Sequence, residues 1–336
     1  MSNVLWFEEC SHDKTRLVGG KNASLGELKR LSKSLSINIG DGFAITTRVY
    51  DIFCKFNKLN SIIEQELSNV KLDDIDSLTL ASNNIKRSFK KGVLPENIVQ
   101  DIRNAFHTLC LNCGGQIEVA VRSSAIAEDM PNASFAGQQD TFLNISNTIQ
   151  LMDAVILCFA SLYNQRAISY RLSHNIAKED VKLSVGVQIM IRSDLGSAGV
   201  AFSLDPNQGY TKAIVINSAF GLGELVVSGG VKPDEFIVDK RVLSSAENPI
   251  VGKTLGHKSS KMIYNIDGGV YEINSSEREL NSYSLTDKQV IELARYVNVL
   301  ETYYSGLYKK KISIDVEWAL NAVSYTHLTL PTICSV

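Results

Sequence analysis

The chain has 336 residues, of which 44% are hydrophobic and 21% charged, and its formal net charge is -2. This length allows more than one lobe, and the composition is typical of a globular protein rather than a disordered or fibrous one. The balanced charge argues against nucleic-acid binding, which usually needs a basic excess. No apolar run reaches the roughly 18–20 residues that span a bilayer, and the acidic pair Glu8-Glu9 stands where a signal peptide is basic. We therefore expect a cytoplasmic protein that binds neither nucleic acid nor a membrane.

The six cysteines lack the paired spacing of a disulfide scaffold. Cys110 and Cys113 form a CxxC, but no second pair completes a zinc site and no thioredoxin-like strand precedes them. We predict reduced structural thiols.

Up to residue 116 the sequence predicts a mainly helical scaffold. Val4–Phe7 is expected to form a first edge strand, and Asp41–Thr47 a turn with a short strand. Asp73–Lys91 and Pro95–Cys110 show the apolar spacing of amphipathic helices.

Within this part, residues 17–28 read LVGGKNASLGEL. Two glycines permit a sharp turn, Asn22 is a plausible N-cap, and the leucines recur at helical spacing. Lys21 is therefore expected where a helix begins, a position at which the helix dipole and exposed N–H groups favour an anion. The GxxxxGK[ST] spacing of a P-loop is absent, and a surface lysine remains the alternative.

The segment 117–144 combines a strand with groups suited to a polyanion. The apolar run Ile117–Val121 leads to Arg122, and acidic residues and the small-residue segment 133–139 follow. Arginine can grip phosphate oxygens as a planar fork, and small residues let backbone N–H groups approach a ligand. An ordinary strand with an exposed ion pair and a surface loop is the alternative.

Downstream, residues 149–172 predict one long amphipathic helix, so that residues 117–180 hold a central strand, a phosphate loop and a long helix. Runs of strand length then follow one another closely: Leu183–Ile191, Gly199–Leu204 and Ala213–Asn217. They predict a mostly antiparallel sheet in a lobe formed by residues 181–319.

A glycine turn at residues 218–230 carries Glu224 into an apolar segment. The dinucleotide fingerprint GxGxxG fails here, because Val226 stands where the third glycine is needed. Glu224 can hydrogen-bond a ribose or be an exposed turn acid, and its position alone does not decide.

Lys311–Trp318 alternates between apolar residues and the set Ser313, Asp315 and Glu317. Two carboxylates side by side along a strand suit Mg²⁺ bridged to phosphates. A polar outer strand face is the alternative.

Taken together, these segments resemble the N-terminal nucleotide-binding domain of the phosphoenolpyruvate synthase (pyruvate, water dikinase) family, and more broadly the ATP-grasp domains of pyruvate phosphate dikinase and rifamycin phosphotransferase. The resemblance runs from about Val4 to Trp318. It rests on VGGKNASLGEL at 18–28, AVRSSAIAEDMPNASFAGQQDTFLN at 120–144, FASLYNQRAISYR at 159–171, GVAFSLDP at 199–206, GLGELVVSGGVKPDEF at 221–236 and IDVEWA at 314–319. It implies an α+β ATP-grasp fold with a helical N-terminal lobe and a mostly antiparallel sheet lobe.

The resemblance also implies a role for individual residues, with ATP and Mg²⁺ as the ligands. These roles are ATP phosphate binding and catalysis by Lys21 and Arg122; a covering loop of Ser134, Phe135, Ala136, Gly137 and Gln138; the adenine hinge near Gln188 and Met190; the ribose near Glu224; and Mg²⁺ at Glu317 with Asp315.

In that family the domain transfers a pyrophosphoryl group from Mg-ATP to a histidine on a separate swivelling domain. That domain carries phosphate to a pyruvate-binding barrel domain, where phosphoenolpyruvate forms, and AMP and phosphate are released. None of the five histidines here lies in such a carrier motif. We therefore expect both partner domains to be absent from this chain, which alone would not complete the reaction.

The C-terminal residues depart from the family pattern. After Ala319 the family continues into a strand of the type IVQARPET, whose Gln and Arg complete the metal and phosphate shell. Residues 321–336 read differently here, so we expect residues 320–336 to be a non-native or divergent tail, with the closing strand missing or replaced.

Two alternatives to a synthase domain stay open at this stage. One is the ATP domain of a rifamycin-type small-molecule phosphotransferase, and the other is a non-catalytic nucleotide-binding module.

Overall fold

The computed structural model describes residues 2–35, 38–71, 73–126, 129–130, 133–134, 140–174, 176, 181–265, 268–321 and 326–334. For residues 33–35, 129–130, 133–134 and 326–334 the description covers the backbone. The chain divides into two compact units. The first unit is Met1–Glu27 with Asp41–Met190, and the second unit is Leu28–Gly40 with Ile191–Val336.

The helices are α1 Thr15–Leu35, α2 Thr47–Phe56, α3 Leu59–Ser68, α4 Ile75–Lys90, α5 Glu96–Asn112, α6 Thr148–Ser161, α7 Gln165–Ser173, α8 Glu224–Val227, α9 Glu277–Leu280 and α10 Asp287–Tyr308. The strands are β1 Val4–Trp6, β2 Asn38–Ile39, β3 Gly42–Ile45, β4 Val119–Ala125, β5 Asp129–Met130, β6 Ala133–Ser134, β7 Thr141–Ile145, β8 Leu183–Ile189, β9 Ser197–Phe202, β10 Ala213–Phe220, β11 Asp234–Asp239, β12 Ile250–Thr254, β13 Ser260–Tyr264, β14 Val270–Asn274, β15 Ser313–Leu320 and β16 Thr326–Cys334.

The first unit is built on a five-stranded antiparallel sheet with the order β1-β3-β8-β4-β7. The edge strand predicted at Val4–Phe7 is confirmed as β1. Val119, Val121, Val185 and Val187 alternate with polar or small residues along β4 and β8, and all four are buried. Because alternate side chains of a strand point to opposite faces, one face is apolar, and α2 and α6 pack there.

Aromatic side chains fill the core between these helices and the sheet. The rings of Tyr50, Phe53, Phe89, Phe159 and Tyr163 contact one another with centroids 5.2–6.3 Å apart. The hydroxyls of Tyr50 and Tyr163 share a hydrogen bond of 2.8 Å, which satisfies both polar groups within the core. Burial raises the pKa of both phenols, so the pair stays neutral.

The prediction of one long helix at residues 149–172 is wrong, because α6 ends at Ser161 and α7 begins at Gln165. Asn164 adopts an extended conformation as the N-cap of α7. The carbonyl of Tyr163, in the interruption, accepts a hydrogen bond of 2.7 Å from the Ser82 hydroxyl. A partner on another helix thus satisfies a backbone group at the break, and the continuous apolar pattern of the sequence does not reveal such a partner.

The second unit is built on a seven-stranded sheet with the order β12-β11-β10-β9-β15-β16-β2. Its pairs are antiparallel except that β16 runs parallel to β2. Helix α10 packs on β9, β10, β11 and β15 and buries Val290, Leu293, Val297 and Leu300 as its periodicity predicts. The predicted α+β class, with mostly antiparallel pairing, is confirmed.

Two strands lie in places that differ from the predicted division of the chain at residues 180 and 319. The three strands predicted in succession after residue 180 do not share one sheet, because β8 pairs with β3 and β4 whereas β9 and β10 lie in the second unit. The tail also contributes a strand, since β16 pairs with β15. The sequence of β16 contains neither Gln nor Arg, and the non-native or divergent character of residues 320–336 stays a prediction.

A buried ion pair stabilises the second unit. The side chains of Asp234 and Lys258 are both 0% exposed, and Lys258 Nζ lies 2.5 Å from Asp234 Oδ1. The Gly256 N–H donates to the same oxygen, and the N–H and hydroxyl of Ser284 donate to Oδ2. The Ser218 hydroxyl shares a hydrogen bond with that of Ser284. Such a pair is compatible with burial because its hydrogen-bonding groups are satisfied.

The described cysteines form no disulfide. Burial raises the pKa of the Cys54 thiol to about 12 and also raises that of Cys158. Buried, neutral thiols are inert, as expected for structural cysteines. Among the helices of the described residues, none is both long and apolar enough to cross a membrane.

We predict that Lys258→Met lowers the free energy of unfolding of the second unit by about 3 kcal/mol, because it leaves the Asp234 carboxylate buried without its counter-ion. Urea unfolding followed by circular dichroism measures this loss. Lys253→Met is the matched control, because Lys253 pairs with Asp287 at 31% and 47% side-chain exposure, and exposed pairs contribute about 1 kcal/mol or less. Equal losses in the two variants would contradict the prediction.

Candidate functional site

The start of α1 lies against β4 of the first unit. Gly19 interrupts α1 with φ 72° and ψ 166°, so a new helical segment begins immediately after it. A Cβ atom on Gly19 would lie 2.2 Å from the backbone oxygen of Ser124. Only glycine allows both this conformation and this approach. Lys21 therefore lies in the first turn of the new segment, and its predicted place at a helix start is confirmed.

Asn22 does not cap this helix, and that part of the prediction is wrong. It lies inside the helix, with 2% of its surface exposed. Its backbone N–H, one of the first-turn groups without an intrahelical acceptor, donates to the Ser124 hydroxyl over 3.2 Å. Its side-chain Nδ2 donates to the Val18 carbonyl at 3.0 Å and to the Ser184 hydroxyl at 3.1 Å. The capping group is thus the hydroxyl of Ser124, about a hundred residues away in the chain. A local sequence pattern cannot identify a cap at that distance.

The strand register places two predicted site residues on one face of the first sheet. Arg122 pairs with Gly186, Ser124 with Ser184, and Ala120 with Gln188. Directly paired residues share a face, so Arg122 and Gln188 both lie opposite the helix-covered apolar face. Arg122 is half-buried, and Gln188 is 3% exposed.

Glycine allows close contacts on this face beside Arg122. A Cβ on Gly186 would lie 2.3 Å from Asn22 Oδ1, and Gly42 pairs directly with Gln188. Because Gly186 has no side chain, the start of α1 can approach the strand beside Arg122 closely.

The thiol of Cys158, on α6, contacts β4. Burial raises the pKa of the Cys158 thiol, the Asp140 carboxylate raises it further, and the Lys21 charge lowers it. The Cys158 thiol lies 3.8 Å from the Val121 carbonyl, which it contacts as a donor. Asp140 lies close to this strand, because its carbonyl accepts a hydrogen bond of 3.4 Å from the Ser123 hydroxyl and the next residue, Thr141, pairs with Arg122.

Met190, predicted at the adenine hinge, ends the first unit just after β8. Its N–H donates to the Glu118 carbonyl at 2.9 Å. Its Sδ accepts a hydrogen bond of 3.0 Å from the N–H of Asn144, which has a left-handed φ of 58°. Met190 is therefore held rigidly at the end of the strand that carries Gln188.

The predicted phosphate loop is only partly described. Ser134 lies in β6, and its backbone pairs with Asp129 of β5. Phe135, Ala136, Gly137 and Gln138 lie outside the described residues.

In the second unit, Asp315 and Glu317 share one face of β15, as the alternation predicts. Both are half-buried, whereas Ile314, Val316 and Trp318 on the opposite face are buried on the α10 side of the sheet. Among the described residues no group of three or more His, Cys, Asp or Glu side chains could hold a metal ion. Two carboxylates nevertheless fit Mg²⁺, which is commonly held by one or two carboxylates together with substrate phosphates and water.

The register also brings a residue beside this pair that the sequence analysis missed. Glu317 pairs with Val200, and Val200 pairs with Asn217, so Glu317 and Asn217 lie in one cross-strand row on the same face. Asn217 is half-buried within an apolar strand. The sequence around Asn217 does not mark it as a neighbour of Asp315 and Glu317. Only the pairing of β9, β10 and β15 shows that these side chains share a face.

Glu224 lies elsewhere in the second unit, in the first turn of α8, and it is exposed. The turn before it is fixed by Gly221, which has φ 85° and whose Cβ would lie 2.7 Å from the Met262 carbonyl. The ribose contact of Glu224 stays a prediction.

The chain is thus an α+β protein with two units. In each unit, helices cover one face of the sheet, and polar side chains lie on the other face. Residues 15–329 match the family described as "Pyruvate phosphate dikinase, AMP/ATP-binding domain". The chain belongs to this family.

Curated relatives agree with this assignment. The chain is 41% identical over 90% of its length to a phosphoenolpyruvate synthase of Deinococcus radiodurans and 41% identical over 96% to that of Helicobacter pylori. It is 38% identical over 94% of its length to the phosphoenolpyruvate synthase of Escherichia coli. The matched regions span 37% to 40% of these relatives.

We predict that Gly19→Ala lowers the free energy of unfolding of the first unit by about 3 kcal/mol, because it adds backbone strain and a clash with the Ser124 carbonyl. Gly114→Ala is the matched control. Gly114 has a similar φ of 81° but no atom within 4 Å of its Cβ position, so it should cost only about 1–2 kcal/mol of left-handed strain. Urea unfolding compares the two variants, and equal losses would show that the contact with Ser124 has no energetic weight.

Proposed function

We propose that this chain is the Mg-ATP-binding domain of a phosphoenolpyruvate synthase. The observation that carries the proposal is the arrangement on the first sheet, where Arg122 and Gln188 share the face opposite the apolar core and the helix start at Lys21 is bonded to that face. The family match and the identity to three synthases support it.

In the first unit, we assign the ATP phosphates to Lys21 and Arg122. Lysine supplies a compact positive charge, and the arginine fork matches two phosphate oxygens. We assign the adenine to the Gln188–Met190 end of β8. The segment Ser134–Gln138 is proposed to cover the phosphates. Phosphoryl transfer needs mainly positioning and charge neutralisation, which this set of groups can supply.

In the second unit, we assign Mg²⁺ to Glu317 and Asp315 and the ribose to Glu224. When bound, Mg²⁺ would neutralise charge on the phosphates. Glu317 and Asp315 would hold the ion, and their half-burial restricts their side-chain freedom.

The full reaction is proposed to require domains beyond this chain. A histidine on a swivelling domain would accept a pyrophosphoryl group from ATP and leave AMP. After loss of phosphate, that histidine would transfer the remaining phosphoryl group to pyruvate in a barrel domain. The longer relatives leave room for both domains, since the chain matches 37% to 40% of their length.

One observation favours a second candidate, a nucleotide-binding module that transfers no phosphoryl group. Strand β16 occupies the place beside β15 without the Gln and Arg of the family pattern. The two candidates are separated by supplying the histidine-containing domain of the Helicobacter pylori relative in trans with ATP labelled at the β-phosphate. Label on that domain supports the synthase candidate, and ATP binding without labelling supports the module.

We predict that Lys21→Ala and Arg122→Ala each weaken Mg-ATP binding about 10- to 100-fold, because each removes a charge-assisted hydrogen bond worth about 1.5–3 kcal/mol. Titration calorimetry measures the dissociation constants. Arg87→Ala and Lys90→Ala, which change exposed residues of α4, are the matched controls. Unchanged affinity in both site variants would overturn the phosphate assignment.

We predict that Glu317→Gln raises the Mg²⁺ concentration needed for half-maximal ATP binding by at least about tenfold, because an amide is a much weaker Mg²⁺ ligand than a carboxylate. A magnesium titration at fixed ATP concentration measures this shift. Glu272→Gln on β14, where Glu272 is exposed, should leave the titration unchanged. The same magnesium dependence in all three proteins would contradict the metal assignment.

A further inference from the structure

We propose that Asn22, Ser124 and Ser184 are positioning residues for nucleotide binding, and that they act through Lys21. We call these three residues the clasp. This inference rests on the proposed function and deepens it, because it explains how the proposed phosphate ligands are held in place.

The clasp connects three segments that are distant in sequence. The Ser124 hydroxyl on β4 accepts the Asn22 N–H at 3.2 Å, and the Ser184 hydroxyl on β8 accepts from Asn22 Nδ2 at 3.1 Å. The Ser184 hydroxyl in turn donates to the Ile45 carbonyl of β3 at 2.8 Å. A single asparagine therefore bonds the start of a helix to two strands, and through the second serine to a third.

All three clasp residues are buried, with 2%, 1% and 0% of their surfaces exposed for Asn22, Ser124 and Ser184. Water cannot replace hydrogen bonds at such positions, and a buried polar group that loses its partner is costly. The second Asn22 Nδ2 contact, to the Val18 carbonyl at 3.0 Å, fixes the orientation of the amide. The hydrogen bonds of the clasp therefore fix a single orientation of the Asn22 side chain.

Two glycines make this geometry possible. Gly19 lets the helix start approach the Ser124 carbonyl, and Gly186 leaves the space that Asn22 Oδ1 occupies. The clasp is therefore a close-packed contact as well as a set of hydrogen bonds, and a small added group at residue 186 would displace Asn22.

The clasp lies on the same helix start and the same sheet face as the proposed ATP-binding residues. Lys21 directly precedes Asn22, and the register places Arg122 and Gln188 on the same sheet face as Ser124 and Ser184. Binding and transfer depend on the placement of charged groups to within about 1 Å. A change in the clasp should therefore move Lys21 relative to Arg122 and weaken phosphate binding without removing any phosphate ligand.

A double-mutant cycle tests whether Asn22 acts through Lys21. Mg-ATP dissociation constants are measured by calorimetry for the unaltered chain, Asn22→Ala, Lys21→Ala and the double variant. We expect Asn22→Ala to weaken binding about tenfold in the unaltered chain and less than about twofold in the Lys21→Ala background, because residues that act as one unit are not additive. A purely structural role predicts the same factor in both backgrounds.

Asn57→Ala is the matched control in the first unit. Asn57 also bridges separate segments, through Nδ2 to the Phe53 and Val93 carbonyls and through Oδ1 from the Val93 N–H. It should lower stability and leave the affinity for Mg-ATP unchanged. If Asn57→Ala weakens binding as much as Asn22→Ala, the effect is general loss of stability and the inference is wrong.

Gly186→Ala provides a second route if Asn22→Ala does not fold. It keeps every clasp residue but displaces Asn22, so it should also weaken Mg-ATP binding in the unaltered chain and have little effect in the Lys21→Ala background. Unchanged affinity in a folded Gly186→Ala variant would overturn the inference. Failure of the unaltered chain to bind Mg-ATP would instead refute the proposed function, and the inference with it.

Discussion

The close approach of α1 to β4 at Gly19 is the constraint on which the arrangement of the first unit depends. A left-handed φ at this glycine starts a new helical segment, and the absence of a Cβ lets that segment contact the Ser124 carbonyl. Asn22 can then bond to both β4 and β8. Because Lys21 lies between Gly19 and Asn22, the place of its backbone near the Arg122 strand follows from the geometry of the helix start. The proposed phosphate-binding lysine is thereby held at the sheet that carries Arg122 and Gln188.

Both units use their sheets in the same way. In each, alternation along the strands buries apolar residues under helices and leaves polar residues on the other face. This alternation places polar side chains on the faces opposite the helices: Arg122 and Gln188 on the first sheet, and Asp315 and Glu317 on the second. The proposed site residues lie on paired strands that backbone hydrogen bonds hold together, so the spacing of their backbones would be set before a ligand arrives. Such preorganisation is the main requirement for binding phosphates and metal ions with little conformational cost.

Not every residue within a recognisable motif contributes to chemistry. The segment at residues 221–236 includes Glu224, which is exposed, and Asp234, which is fully buried against Lys258. The first can meet a ligand, whereas the second holds β11 to the chain around residues 256–258 and to Ser284. From sequence the two acids look equivalent. Burial separates them, because a buried carboxylate with a lysine and three further donors has no capacity left for a ligand.

The sequence by itself determined the α+β class, the main helices, the alternation of β15 and the position of Lys21 at a helix start, because these depend on local periodicity and on glycine. It also indicated the family through the order of short motifs. Only the tertiary structure decided that β8 joins the first sheet, that α6 and α7 are separate, and that Ser124 rather than Asn22 supplies the cap. Only strand register showed that Asn217 shares a face with Glu317. These features depend on hydrogen bonds and contacts between residues tens to more than a hundred positions apart, and neither propensity nor local pattern carries that information.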